Sequence, residues 1–184
     1  MEKEIRVHFD NLNGMDSEKQ YQSYRVLLDV TEQPVDWAYA AWDELVGKLT
    51  NNDNHLRTIA AQLLCNLAKS DPEERILRDF DAILAVTSDK RFVTARHTLQ
   101  ALWKIGLAGE NQKKTLIAGY AQRFEECAQE KNCTLIRYDI LVGMHKLYDG
   151  TNDATIKELA LQLIELEQDE KYRKKYAGVW KDTM

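Results

Sequence analysis

Arginine recurs in this sequence at one fixed phase of an apolar helical stripe. Arg57, Arg96 and Arg137 are each followed three residues later by an apolar residue (Ala60, Leu99, Ile140) and seven later by a large one (Leu64, Trp103, Met144). The intervals between the arginines are 39 and 41 residues. A period near 40 residues built on helical spacing implies one supersecondary unit, copied. Such a unit cannot bury its apolar face alone and must stack on its neighbours.

The rest of the chain fits that reading. Around Arg57, residues Leu56, Ile59, Ala60, Leu63, Leu64 and Leu67 fall at i, i+3, i+4, i+7, i+8 and i+11, one face of an α-helix. Phe92, Ala95, Leu99 and Leu102 repeat the stripe, as do Ile136, Ile140, Met144 and Leu147. Partner helices are predicted over 35–49, 72–87 and 111–130, which pairs 35–49 with 53–69, 72–87 with 90–107 and 111–130 with 132–148. A helix over 153–167 begins a fourth pair, and one over 16–31 precedes the first. Connections this short force antiparallel neighbours. Residues 4–10 alternate like a strand at Ile5, Val7 and Phe9 but also fit a helix through Leu12; a lone strand would lack a partner, so a helix is expected. With only 8 Gly and 2 Pro, the chain lacks the turns of a sheet protein. Pro34 and Asp71-Pro72 suit helix starts, Asp89 suits a cap, and Gly109 and Gly150 are expected as left-handed residues just past helix ends.

The repeated arginine and the length of the unit resemble the second helix of HEAT repeats, within the HEAT/armadillo class. The resemblance covers residues 35–150. It implies an all-α fold, a right-handed α-solenoid of about four antiparallel helix pairs, whose second helices line a concave surface. One domain over 1–184 is expected, with capping helices over 151–184. The arginines at 57, 96 and 137 are read as stacking groups, pairing with acids or helix-end carbonyls of a neighbouring repeat.

Charge is unevenly spread. The formal net charge is −5, which does not favour nucleic acid or an anionic membrane. The second-helix segments 53–69, 89–107 and 132–149 carry +1, +3 and 0, leaving −9 for all other residues. The concave surface is therefore expected to be mildly basic, with His55, His97 and His145 near it. Lys90, Arg91, Arg96, His97, Lys104, Tyr138 and His145 are the candidate contacts for a protein partner, an acidic one by charge. The expected role is a non-catalytic protein-protein interaction or scaffold module, in the cytoplasm. The alternative is a HEAT-like nucleic-acid-binding or DNA-alkylation-repair protein, in which Trp103, Tyr138 and Asp139 would supply the aromatic residues and the acid.

Other chemistries lack a signature. The four His and three Cys show no metal-ligand spacing, no glycine-rich phosphate loop or nucleophile elbow occurs, and no catalytic residue, metal or cofactor is expected. Three cysteines without a C-x-x-C pair suit a reducing compartment. No apolar run reaches the ~20 residues of a membrane span. Tyr172, Tyr176, Val179 and Trp180 form a basic-flanked amphipathic stripe, expected to cap the end of the helical stack.

Overall fold

Ile5, Phe9 and Leu12 share one side of a helix, and the chain opens that way in the computed structural model, which describes residues 3–183. Helix α1 (Lys3–Leu12) buries Phe9 and Leu12 completely and leaves Val7 exposed, the outcome of helical rather than alternating periodicity. The described residues contain eleven α-helices, three short 3-10 stretches and no strand. They divide into two compact units, one up to Thr98 and one from Leu99. Among the described residues no helix is long and apolar enough to cross a membrane.

In the first unit α1 packs on α2 (Ser17–Val30), and α3 (Ala38–Lys48) packs on α4 (Asn54–Leu67), which also touches α2 and α5 (Arg75–Val86). Helix α6 (Phe92–Ala101) belongs to this unit up to Thr98. The core is Leu27, Trp42, Leu45, Leu63, Leu64, Ile76, Phe80 and Ile83, each at most 3 % exposed. Each such side chain contributes about 1.5–3 kcal/mol on burial. Aspartates start the helices: Asp16 accepts from the amides of Glu18 and Lys19, and Asp53 from that of His55.

Two helix starts differ from expectation. Helix α3 begins at Ala38 rather than 35, because the Val35 amide is taken by Ser70 Oγ at 2.9 Å. Helix α5 begins at Arg75, leaving Pro72 in the preceding turn. Asp71 accepts from Tyr39 Oη and from the amide of Ile76, both at 2.7 Å, and Glu74 at φ 53° reverses the chain into the helix.

The second unit contains α7 (Trp103–Gly106), α8 (Glu110–Glu126), α9 (Cys133–Thr151), α10 (Ala154–Glu165) and α11 (Glu170–Ala177), the last continuing as a 3-10 stretch to Thr183. The helix expected over 90–107 is interrupted at Leu102, where the backbone stays right-handed but the Ile105 amide bonds back three residues instead of four. Helix α7 packs on α8 and α9, and α10 on α9. The close approach needs glycine: a Cβ on Gly106 would meet Leu147 Cδ1 at 2.7 Å, and one on Gly143 would meet the Tyr120 ring Cζ at 2.9 Å. The left-handed positions do not fall on glycine. Gly109 is extended, Gly150 lies inside α9, and Asn152 (φ 52°) ends that helix, its amide bonding Tyr148 O at 2.7 Å.

The C-terminal stripe turns two of its four residues into the second unit. Helix α11 packs on α9 and α10, Tyr176 and Trp180 are fully buried, and Tyr176 Oη donates to Thr134 O at 2.9 Å.

Candidate functional site

Three helices of the first unit turn one face each toward a common groove. Ser17, Gln20, Tyr21 and Tyr24 come from α2, spaced i, i+3, i+4, i+7; Asn54, His55, Thr58 and Ile59 come from α4; Val93, Thr94 and His97 come from α6. The groove has a volume of about 460 Å³. That is within the range that receives a small molecule or a few side chains of a peptide.

The floor is fixed by hydrogen bonds. Thr58 Oγ1 donates to Asn54 O at 2.8 Å and accepts from Thr94 Oγ1 at 2.9 Å, tying α4 to α6. Tyr24 Oη donates to Gln62 Oε1, which ties α2 to α4. Asn66 Nδ2 adds a buried bond to Thr31 Oγ1 at 2.9 Å at the far end of α2. Tyr21 and Val93 are 59 % and 65 % exposed. The lining therefore offers ring faces, aliphatic surface, hydroxyls and amides, and no carboxylate, ammonium or guanidinium.

The expected contacts are distributed as follows. His97 lines the groove, as does His55. Lys90 and Arg91 are exposed just before α6, ahead of the stretch that lines the groove. Lys90 borders a second, shallower depression with Asn51, Arg57 and Asp89. Arg96 is half-buried on α6 and Lys104 half-buried on α7. In the second unit Tyr138 lies beneath Lys175 Nζ, 4.7 Å from the ring centre. His145 packs edge-on against Trp180 at 4.9 Å and holds Asp149 Oδ2 from Nδ1 at 3.0 Å. Both are thus covered by the C-terminal segment. Trp103 sits under Lys146, and Asp139 is buried and accepts from Gln100 at 3.2 Å. The aromatic and acidic residues of the alkylation-repair reading thus engage separate neighbours.

Arg57 and Arg137 show what the repeated arginine holds. Arg57 makes a two-toothed pair with Asp89, Nε to Oδ2 at 2.5 Å and Nη2 to Oδ1 at 2.9 Å. Its Nη1 donates to the carbonyls of Asn51 and Asn52. The guanidinium holds the Asp89 carboxyl below the usual carboxylate range. Arg137 reaches Glu167 Oε2 at 2.9 Å and the helix-end carbonyl of Phe124 at 3.1 Å, with its guanidinium over the Phe124 ring. Lys113 joins α8 to the start of α10 through Asp153 at 2.8 Å and, by that hydrogen bond, lowers the Asp153 carboxyl to about 2.

Of the three histidines expected near one surface, His55 and His97 line this groove and His145 does not; Tyr21, Tyr24 and Val93 were not among the expected contacts. The signal was there: 17, 20, 21 and 24 form one face of α2, alongside the stripe that buries Ser23 and Leu27. Among the described residues no three His, Cys, Asp or Glu side chains gather as metal ligands.

Against known proteins, no family model matches the sequence, and no curated protein matches it. Solved structures do match. Three crystal structures of engineered proteins from the Northeast Structural Genomics Consortium superpose with TM-scores of 0.54, 0.50 and 0.55, at 20, 20 and 18 % identity. Each match covers 97 % of this chain, and 78, 47 and 79 % of the engineered one. The fold is all-α. At such identity the likeness speaks for the fold alone.

Proposed function

We propose that this is a HEAT-like helical repeat protein acting as a non-catalytic binding module, and that a segment of a protein partner seats in the groove of α2, α4 and α6. The observation that carries the reading is the groove itself: an apolar, aromatic-rimmed recess whose floor is held rigid by hydrogen bonds between its helices. Exposed apolar residues gathered around a recess mark interaction sites. The expected partner segment presents an apolar anchor to Tyr21 and Val93, with carboxylates beside it for Lys90 and Arg91. A polypeptide is favoured over nucleic acid because the lining is mainly apolar and aromatic and holds no lysine or arginine, which suits a side-chain anchor better than a phosphate backbone. The three free thiols suit a cytoplasmic setting.

The test uses peptides selected from a displayed library against the intact protein, with binding followed by fluorescence anisotropy. Joint Tyr21→Glu and Val93→Glu substitution is expected to weaken binding about 30-fold, the loss of roughly 2 kcal/mol typical of an aromatic anchor. Val7→Glu, at an exposed site on α1 outside the groove, is expected to leave it unchanged. Selected peptides that bind the double variant as tightly as the parent would overturn the reading.

A further inference from the structure

Cys127 and Cys133 meet where α8 hands over to α9. Cys127 follows the last residue of α8 and is buried; Cys133 is the first residue of α9 and is half-buried. Their sulfurs stand 2.9 Å apart. A disulfide requires about 2.05 Å, so bonding needs the sulfurs to close by less than about 1 Å. The joint is held from both sides. Arg123, itself 2 % exposed, grips Glu130 within the connection with two bonds of 2.6 and 2.9 Å, and Arg137 ties α9 to the Phe124 carbonyl. Juxtaposition of the thiols is therefore built into the turn.

We infer that Cys127 and Cys133 are a redox-modification site, closing to a reversible intramolecular disulfide with a peroxide as the oxidant. The sulfur of Cys133, the less buried of the two residues, attacks one peroxide oxygen. The O–O bond breaks, Cys133 becomes a sulfenic acid, and the departing oxygen takes up the thiol's proton as water or alcohol. The Cys127 sulfur then attacks the sulfenic sulfur. The S–O bond breaks and hydroxide leaves, taking the Cys127 proton as water. Two thiols lose two electrons and the peroxide gains them. Burial pushes the Cys127 thiol up to about 12, which suits it to wait as the resolving thiol rather than meet oxidant first.

Stoichiometric hydrogen peroxide on the reduced full-length protein, followed by denaturing alkylation and tryptic digestion, tests this. Trypsin cuts after Arg123, Lys131 and Arg137, so peptides 124–131 and 132–137 remain joined only through the disulfide. The expected product is that pair, about 2 Da lighter than its reduced components and separated by dithiothreitol. Cys65, fully buried in α4, is expected to stay alkylatable as an internal control. Cys133→Ser should abolish the reaction, and Cys127→Ser should leave a Cys133 sulfenic acid that dimedone traps. Because Cys127 is buried, the half-exposed Cys133→Ser variant carries the comparison if the other fails to fold. Two thiols still alkylatable after excess peroxide would overturn the inference, as would Cys133 driven to sulfinic acid beside a free Cys127.

Discussion

At the scale of single residues, Arg57 and Arg137 act by satisfying backbone carbonyls and carboxylates where helices meet. Arg57 fills two carbonyls and one carboxylate with side chains 10 % and 6 % exposed. Removing it strands a buried charge. Arg57→Ala is expected to lower stability by about 3 kcal/mol at pH 7, read from urea unfolding. The acid limb checks the cause. The Asp89 carboxyl is depressed in the folded state, so its contribution is present above the unfolded carboxylate value of about 3.9 and lost as pH falls through the folded value. Without Arg57 the largest cause of that depression goes, leaving the Arg91 amide and Lys90, and the variant should lose less further stability between neutral pH and pH ~3 than the parent does. Residue type and spacing led us to expect acids and carbonyls as partners, and Arg57 and Arg137 each hold one carboxylate and at least one backbone carbonyl. The thiol pair was not legible. Cys127 and Cys133 are unremarkable as letters, and only the tight turn from α8 to α9 brings their sulfurs together.

At the scale of elements, apolar period located every major helix, and capping chemistry misplaced several ends. Pro72 looked like a first helical residue, but Tyr39 and the amide of Ile76 claim the Asp71 carboxylate, which delays α5 to Arg75. Gly109 and Gly150 looked like left-handed stops. The stop is Asn152, an alternative residue for the same backbone shape. The break at Leu102 had no signal, since its dihedrals remain helical. What glycine does in α9 is packing: Gly143 lets Tyr120 of α8 lie against the helix backbone. Gly143→Ala is expected to cost about 1–3 kcal/mol, measured by thermal unfolding. Adding Tyr120→Phe, which removes the nearest atom but keeps the ring, should recover part of the loss. No recovery would mean that the ring, not the hydroxyl, sets the distance. The groove was half legible for a related reason. His55 and His97 sit on helices whose repeat pattern was evident, whereas α2 lies outside residues 35–150, so the spacing of Tyr21 and Tyr24 gave a shared face but not the helices it would meet.

At the scale of the molecule, each unit buries its own large aromatic residues, Trp42 in one and Tyr176 and Trp180 in the other. Regions with separate cores open with separate free energies. Hydrogen exchange read by mass spectrometry should show Gly143→Ala reducing protection in peptides after residue 99 while leaving the α3 and α4 peptides near parental values. Equal loss in both would show that the units open as one. The predicted net acidity and the predicted basic face belong to this scale too. Summed charge described the segments correctly, yet the groove that forms is lined without formal charge, because side chains that line a recess are chosen by helix face and not by segment totals.

The four tryptophans divide evenly between the units. Trp37 and Trp42 lie in the first, with the Trp42 indole N–H on Asp79 at 2.8 Å; Trp103 and Trp180 lie in the second, the latter against His145. Replacing either pair with phenylalanine leaves tryptophan emission, excited selectively over tyrosine, that belongs to one unit alone. The protein thus carries two optical reporters of its own: the first-unit pair, in the unit that holds the groove, and the second-unit pair, in the unit that holds the two thiols.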